Sequence, residues 1–453
     1  MKDECGIVGL FNVDDSAALA YYSLHAMQHR GQEGCGIVGL TKNGQKLIKG
    51  EGLITEVFNE SKLAMLDGQA SIGHVRYPTV DGGGTENIQP FLFKDYTGDF
   101  SISNSGCIVN SSEIRRELEN TGSIFQSSSD AELIAHLIKK DSKSKKIDAI
   151  KAAMRMTEGS FTYVLLTEDK LYAVRDKHGL KPFVLGKIGS GYIVASESCV
   201  FSVIGATFIR DIEPGEIITI SKDGITSDKY SDYQHYYMCA MEYIYFARPD
   251  SDIDKVNCHL FRKDSGRCLA KIKPVIADMV VGVPDSSLSA AMGYAEASGI
   301  PYEIGLIKNK YIGRTFIQPN QRLREKSVKM KLSAIPTIVN GKSIILVDDS
   351  IVRGTTSKFI IGMLREAGAT QVHVRIASAP LIKPCYYGVD ITTKEELISS
   401  NNDCETVRKI IGADSLAFLN VDDLYSISKR KELCLACFTG KYPINTYKEN
   451  SDE

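Results

Sequence analysis

The sequence predicts a two-domain chain whose second half is an α/β domain with a parallel, helix-covered sheet, and three observations carry that expectation. The first is length: 453 residues exceed one ordinary hydrophobic core and suggest two domains of similar size, or three small ones. The second is the stretch SIILVDDSIVRGTTS at 343–357, where the apolar run 344–347 reads as a buried parallel strand. It stops at Asp348 and Asp349, then passes through Ser350, Arg353, Gly354, Thr355 and Thr356 into a helical run, 358–367, closed by Gly368. The third is a repeat of that unit: an apolar strand at 278–283, the turn Pro284-Asp285-Ser286, and a helix at 288–298 closed by Gly299. Sheets of this kind bind ligands at the carboxyl ends of their strands.

The chemistry of 343–357 is specific. Backbone N–H groups at a helix start, helped by Ser and Thr hydroxyls, hold a phosphate, and Gly354 lets the backbone approach it closely. Two carboxylates beside a phosphate would repel it, so Asp348 and Asp349 make sense facing ribose hydroxyls or a Mg²⁺ that bridges to a second phosphate. A phosphorylated sugar satisfies both demands. The chain has neither GxxxxGK[ST] nor GxGxxG, which excludes a Walker loop and a dinucleotide fingerprint. VDDSIVRGTT resembles the signature of type I phosphoribosyltransferases, which implies binding of 5-phosphoribosyl 1-diphosphate (PRPP) by Asp348, Asp349, Ser350, Arg353, Gly354, Thr355 and Thr356.

Composition bounds the rest. Apolar content of 43%, charged content of 24% and a net charge of −2 are those of a soluble globular protein and give no reason to expect nucleic acid or a membrane surface. No run approaches the roughly 20 apolar residues of a membrane span. The start, MKDE, is acidic rather than a signal peptide, so a cytoplasmic protein is expected. Eleven cysteines without a secretory signal argue for thiols, metal ligands or catalysis over a disulfide framework.

Cys5 precedes an apolar run, 7–11, that reads as a strand. Taken alone it would be a buried small hydrophobe. Were residues 1–4 removed, its free α-amino group, with a pKa of about 7.7–8.0, could act as the thiol's own general base.

CGIVGLFN at 5–12, MQHRGQE at 27–33, GHVRY at 73–77 and Glu86-Asn87 followed by Gln89-Pro90-Phe91 resemble the N-terminal-nucleophile glutamine amidotransferases, and within them the amidophosphoribosyltransferase family. The resemblance implies a four-layer α+β Ntn-hydrolase fold for the N-terminal domain. It assigns glutamine attack to Cys5, the glutamine carboxylate to Arg76 and its amino group to Asp130. Residue chemistry agrees, since Arg76 offers a bidentate fork and Asp130 an acceptor for an ammonium, although a surface ion pair is the alternative for each alone. The family's oxyanion-hole Asn-Gly, usually within HNGN, falls on SNSGCIVN at 103–110: without a gap Gly106 keeps its place and Ser105 replaces the Asn, whereas a one-residue bulge would swing Asn104 in.

Runs at 161–166, 171–174 and 192–195 read as strands. Helices are expected at 111–120, capped by Ser111 or Ser112, and at 130–140, capped by Ser129. RDKHG at 175–179, ASES at 195–198 and EPGE at 213–216 resemble the family and read as scaffold turns, with Lys177 and Lys181 where the family usually has Pro and Arg. The Lys-rich piece 139–146 reads as a solvated helix end, and the polar stretch 221–234 as the linker between domains.

CAMEYIYFARPDS at 239–251 resembles the family's entry into its second domain. The basic stretch 305–331 reads as a solvated helix from composition alone, but is similar to the family's active-site loop, which implies PRPP contacts from Lys310, Arg314 and Lys331. The CxxC of Cys434 and Cys437 could be redox, zinc or coincidence. With Cys239 and Cys385 it resembles the ligand set of the family's iron–sulfur branch. Four thiolates suit Zn²⁺ as well as a 4Fe–4S cluster by spacing, and the resemblance favours the cluster. Cys35, Cys107, Cys199, Cys258, Cys268 and Cys404 read as structural thiols.

The resulting expectation is a propeptide at 1–4, a glutamine amidotransferase domain at 5–235, and a phosphoribosyltransferase domain at 236–453 ending in a cluster-binding tail. The enzyme would move glutamine's amide nitrogen, as ammonia, to PRPP, giving 5-phosphoribosylamine, glutamate and diphosphate, the first step of purine synthesis. Mg²⁺ would sit near Ser286, Asp348 and Asp349. The family implies a homotetramer or dimer and purine nucleotides as inhibitors. The alternative is an ammonia-dependent enzyme, or a regulatory PRPP-binding homologue, with an impaired glutaminase.

Overall fold

The computed structural model describes residues 5–77, 84–96, 98–140, 144–233, 235–309, 332–391, 393–430 and 432–444. The expected loop residues Lys310, Arg314 and Lys331 and the segment 1–4 lie outside them.

Two antiparallel sheets face each other in the N-terminal half. The first runs in the order Thr207–Asp211, Val184–Ile188, Gly191–Ala195, Gly6–Phe11, Ala70–Arg76, Gly34–Thr41, Gly44–Glu51. The second is Gly224–Lys229, Glu216–Ser221, Leu171–Arg175, Gly159–Leu166, Phe100–Ile108, Phe91–Phe93. Alternation of side chains across a strand gives each sheet two apolar faces. Ile7, Phe11, Ile72, Val164, Leu166 and Ile218 fill the space between the sheets. Val8, Leu10, Ile37 and Val75 pack outward on helix Ser16–Ala26. Ile102, Phe161 and Leu165 pack outward on Ser111–Asn120, Asp130–Lys140 and Lys146–Met156. Helix, sheet, sheet and helix form the four expected layers.

Both expected helices, 111–120 and 130–140, form at those bounds. Ser129 caps the second, its hydroxyl accepting from Ala131 N at 3.2 Å. The first is not capped by Ser111 or Ser112: Asn110 precedes it, with its side chain committed to Met156 O and Glu158 N. The stretch 221–234 is not a linker throughout. It contains Gly224–Lys229, which pairs along Glu216–Ser221, so its polar residues are those of a solvated edge strand. Of the Lys-rich piece, Lys139 pairs with Asp95 and Lys140 with Glu117.

The C-terminal half holds a parallel sheet, Met279–Gly282, Ser343–Asp348, Gln371–Ile376, Ser415–Phe418. Helices Cys258–Ile272 and Leu288–Ser298 cover one face, Thr355–Glu366 and Cys404–Ile411 the other. The helix after the acidic turn starts at Thr355, three residues before the expected 358. Short strands Leu306–Lys308 and Leu332–Ala334 pair with each other on either side of residues 310–331.

A buried ionic network joins the halves. Arg30, 2% exposed, donates from Nε to Glu197 and from Nη2 to Glu242 at 2.6 Å, and both glutamates are fully buried. Glu197 also accepts from Ser251 Oγ at 2.7 Å and Arg248 N at 2.9 Å. Burial opposes its charge, but Arg30 and His29 hold Glu197 well below the usual carboxylate range. Removing one partner of such a network strands the others in a low dielectric, so Arg30→Met is expected to cost about 3–5 kcal/mol. Thermal melts check this: Arg30→Met should melt well below the parent, and adding Glu242→Met should recover part of the loss.

Candidate active sites

Cys5 enters the central strand Gly6–Phe11 of the first sheet, which pairs with Ala70–Arg76 in the register Gly6↔Val75. That pairing carries Arg76 and Tyr77 to the same end of the sheet as Cys5. Tyr77 N donates to Cys5 Sγ at 3.4 Å, a contact that can stabilise a thiolate. Arg76, 8% exposed, gives one hydrogen bond to Gly84 O at 2.9 Å. Burial lowers its pKa, against the opposing influence of Cys5, Glu33 and Glu86 around the guanidinium.

The second sheet supplies the opposite wall. Phe100–Ile108 pairs with Gly159–Leu166 in unbroken register from Ser101↔Leu166 to Ile108↔Gly159. There is therefore no bulge in this strand, and nothing in its pairing swings Asn104 into the place of Ser105. Asn104, paired with Tyr163, shares the helix-side face with Phe100 and Ile102, while Ser105 takes the other face, toward Cys5. Its hydroxyl donates to Cys5 O at 2.7 Å. Among the described residues Asn104 Oδ1 has no hydrogen-bond partner, and its backbone O contacts His74 Nε2 at 3.1 Å. Burial, then Arg76, pushes His74 down to about 3, so it is a neutral imidazole that leaves the field of Arg76 intact. Gly106 has φ +131°, and a Cβ there would stand 1.9 Å from Ser160 O, so no other residue fits.

Asp130 opens its helix at the foot of this strand and accepts from Ile108 N at 2.8 Å. Burial lifts its carboxyl to about 6, with Ile108 N–H and Arg115 opposing. The structure thus gathers Cys5, Arg76, Ser105 and Gly106 where the two sheets meet, with Asp130 held against the same strand as Ser105. The Tyr77 N–H contact escaped the sequence reading; GHVRY was visible there, but not that its last amide would meet the thiol.

The second site lies at the carboxyl end of the parallel sheet, as strand order dictates. Asp348 and Asp349 are 9% and 7% exposed. Ser287 Oγ donates to Asp348 Oδ1 at 3.0 Å, Ser286 Oγ to Asp349 Oδ2, and Ser350 Oγ to Asp349 Oδ1 at 2.6 Å. Burial and the neighbouring Asp349 push Asp348 well above the usual carboxylate range. Gly354, φ +75°, turns the chain into the helix, and a Cβ there would meet Ile398 Cδ1 at 2.7 Å. The first helical turn carries no acid, and Thr355 and Thr356 are exposed at its start. Arg353 projects outward and pairs with Glu396. Ser287 was missed beside Ser286, since only the fold shows that both hydroxyls face the acids.

Cys239, Cys385, Cys434 and Cys437 line a single enclosed cavity with Lys181, Met241 and Tyr387. Backbone bonds draw them together: Cys434 N donates to Met238 O at 2.9 Å and Ala240 N to Cys434 O at 3.2 Å. Burial lifts the Cys434 thiol to about 12 and pushes Cys437 well above the ordinary thiol value. Among the described residues no group of three or more His, Cys, Asp or Glu is arranged to hold a single metal ion. Of the remaining thiols Cys35, Cys199 and Cys258 are buried as expected, whereas Cys404 is exposed.

Residues 77–202 match a family model described as a glutamine amidotransferase domain. The chain is 51% identical to the amidophosphoribosyltransferase of Bacillus subtilis, over 99% of this chain and 96% of that one. It is 49% identical to that of Staphylococcus aureus, over 99% and 92%. A solved structure of glutamine PRPP amidotransferase from B. subtilis, complexed with ADP and GMP, superposes with a TM-score of 0.93 at 50% identity, covering 98% of both chains. One described as the allosteric regulatory enzyme of purine biosynthesis gives 0.94 at 50% identity, over 98% and 97%. With half its residues identical across nearly its whole length, this chain belongs to the amidophosphoribosyltransferase family, enzymes that use glutamine and PRPP in the first step of purine biosynthesis.

Proposed function

We propose that Cys5 is the glutaminase nucleophile, that removal of residues 1–4 frees its amine as general base, and that Arg76 and Asp130 bind the α-carboxylate and α-ammonium of glutamine. The observation that carries this is Cys5 Sγ against Tyr77 N, with Arg76 one residue earlier on the same strand end. The thiol adds to the carboxamide carbon, ammonia leaves from the tetrahedral intermediate as the thioester forms, and water releases glutamate. Gly106 and Ser105 face the developing oxyanion. Ammonia then displaces diphosphate from C1 of PRPP at the second site.

There, the Thr355 and Thr356 helix start, with Gly354 and Ser350, would hold the 5-phosphate, and Asp348 and Asp349 the ribose hydroxyls. Ser286, Asp348 and Asp349 fit Mg²⁺: two packed carboxylates hold a proton between them unless a cation takes its place. Such a cation would neutralise diphosphate oxygens in the leaving group. Arg353, Lys310, Arg314 and Lys331 are proposed to meet the same diphosphate.

Four thiols around one cavity, Cys434 and Cys437 buried and Cys239 and Cys385 half-buried, suit a 4Fe–4S cluster, whose irons need thiolates spread about them rather than drawn to a point. The cluster would serve structure, tying Cys239 to the tail residues Cys385, Cys434 and Cys437. We further propose domains at 5–235 and 236–453, a cytoplasmic homotetramer or dimer, and purine nucleotides as inhibitors, the last supported by the ADP and GMP bound to the B. subtilis relative. Among the described residues no helix is long and apolar enough to cross a membrane.

Asp348→Asn and Asp349→Asn should each abolish synthesis of phosphoribosylamine from glutamine or ammonia while sparing basal glutamine hydrolysis. Assays with both nitrogen donors check this, and parallel loss of glutaminase would make the acids structural.

Asp130 supplies a pH test. Its native pKa is lifted from 3.8 to about 6, so the native state binds the extra proton between those values, and stability falls as pH rises through that window. The full cost, about 3 kcal/mol, is present above pH 6. Asp130→Asn should therefore raise the melting temperature at pH 7.5, yet lose most glutamine use. In the parent, kcat/KM for glutamine should fall as pH drops through about 6, because only the carboxylate pairs with the substrate ammonium.

Ser105 predicts a weak glutaminase. Losing one oxyanion donor costs about 10²–10³ in rate, and a hydroxyl already given to Cys5 O compensates poorly. Glutamine should support synthesis less well than ammonia; Ser105→Asn should raise the glutamine-dependent rate, and Asn104→Ala should leave it nearly unchanged. A collapse on Asn104→Ala would overturn the register argument.

A further inference from the structure

The cavity bounded by the four cysteines has a polar member that neither half-reaction uses. Lys181 is 3% exposed and follows the turn after strand Leu171–Arg175. Its backbone is fixed on both sides: Arg175 Nε donates to Lys181 O at 2.9 Å, and Cys239 N donates to Leu180 O at 3.2 Å. The backbone of a proposed ligand is thus bonded to the residue next to Lys181. The ammonium reaches the far wall, where Nζ lies 3.5 Å from the point a Cβ on Gly388 would occupy. Among the described residues Lys181 is the one cation lining this cavity.

Charge gives the position meaning. A 4Fe–4S core bound by four thiolates keeps a net negative charge, and burying it costs several kcal/mol unless a positive group lies close. Of the other members of the lining besides the cysteines, Ser160, Leu180, Met241, Tyr387, Val389 and Ala436, none carries charge. We propose that Lys181 is the counter-cation of this cluster, stabilising its reduced form and its retention in the protein. The inference rests on the cluster reading above. A neighbouring ammonium favours the more negative redox state, so its removal drives the potential down.

The test uses protein purified anaerobically, with the parent, Lys181→Arg, Lys181→Met and Lys181→Gln compared. Iron and sulfide content, visible absorbance and an EPR-monitored redox titration are read, together with circular dichroism for folding. Parent and Lys181→Arg should carry the cluster alike. Lys181→Met, which keeps the stem and loses the charge, should retain less iron or show a more negative midpoint potential and faster bleaching in air. Lys181→Gln carries the same expectation, so a folding failure of one neutral variant leaves the other decisive. Unchanged iron content and potential in both neutral variants would overturn the proposal, as would equal impairment of Lys181→Arg. Iron-free parent protein would sink the cluster reading itself, and this inference with it.

Discussion

The guanidinium of Arg30 is the point on which the two halves depend. It lies between Glu197, from the turn after a strand of the first sheet, and Glu242, at the entry to the C-terminal half, with all three side chains out of water. Charges so placed are expensive to bury and demand each other's geometry. Glu197 adds Ser251 and Arg248, so the chain at 242–251 is anchored to the glutaminase wall through one carboxylate. A few residues further, Arg262 donates to Tyr243 O and Ala247 O and fastens the same segment to the helix behind the parallel sheet. Arg175, paired with Asp254, links the same two halves a short way along the chain.

The two sites solve opposite electrostatic problems with similar materials. At the proposed glutamine end a buried carboxyl, Asp130, is lifted by burial against one opposing backbone N–H, and on that reading a substrate cation would compensate it. At the proposed PRPP end two carboxylates are pressed together and braced by Ser286, Ser287 and Ser350, so that on that reading an incoming cation would replace a proton. In each case the free protein bears a cost of burial that the proposed ligand would return on binding.

Sequence reasoning recovered what depends on local pattern. Continuous apolar runs ending in acids gave the parallel strands at 279–282 and 343–348, and glycine gave the close of helix Leu288–Ser298, where Gly299 is left-handed. It failed where a partner far along the chain decides. The polar stretch at 224–229 looked like linker because an edge strand with a solvated face has linker composition. Asn110 displaced the expected serine cap because its carboxamide serves residues 156 and 158, which only the fold brings near. The residues proposed for glutamine and PRPP were singled out through family motifs, whereas the bracing groups Tyr77 N–H, Ser287 and the Arg30 network were not, since their partners lie 72, 61 and 212 residues away.

The unbroken ladder of Phe100–Ile108 also constrains how this glutaminase could have arisen and could change. A strand paired over eight positions cannot move its side chains by one place without turning Ile102 into the inter-sheet space and Ser103 into the helix-side core. Insertion or deletion is therefore closed as an evolutionary route to a carboxamide beside Cys5. Replacement of position 105 itself leaves the pairing unchanged, and the register of the strand thereby decides which side chain stands beside Cys5.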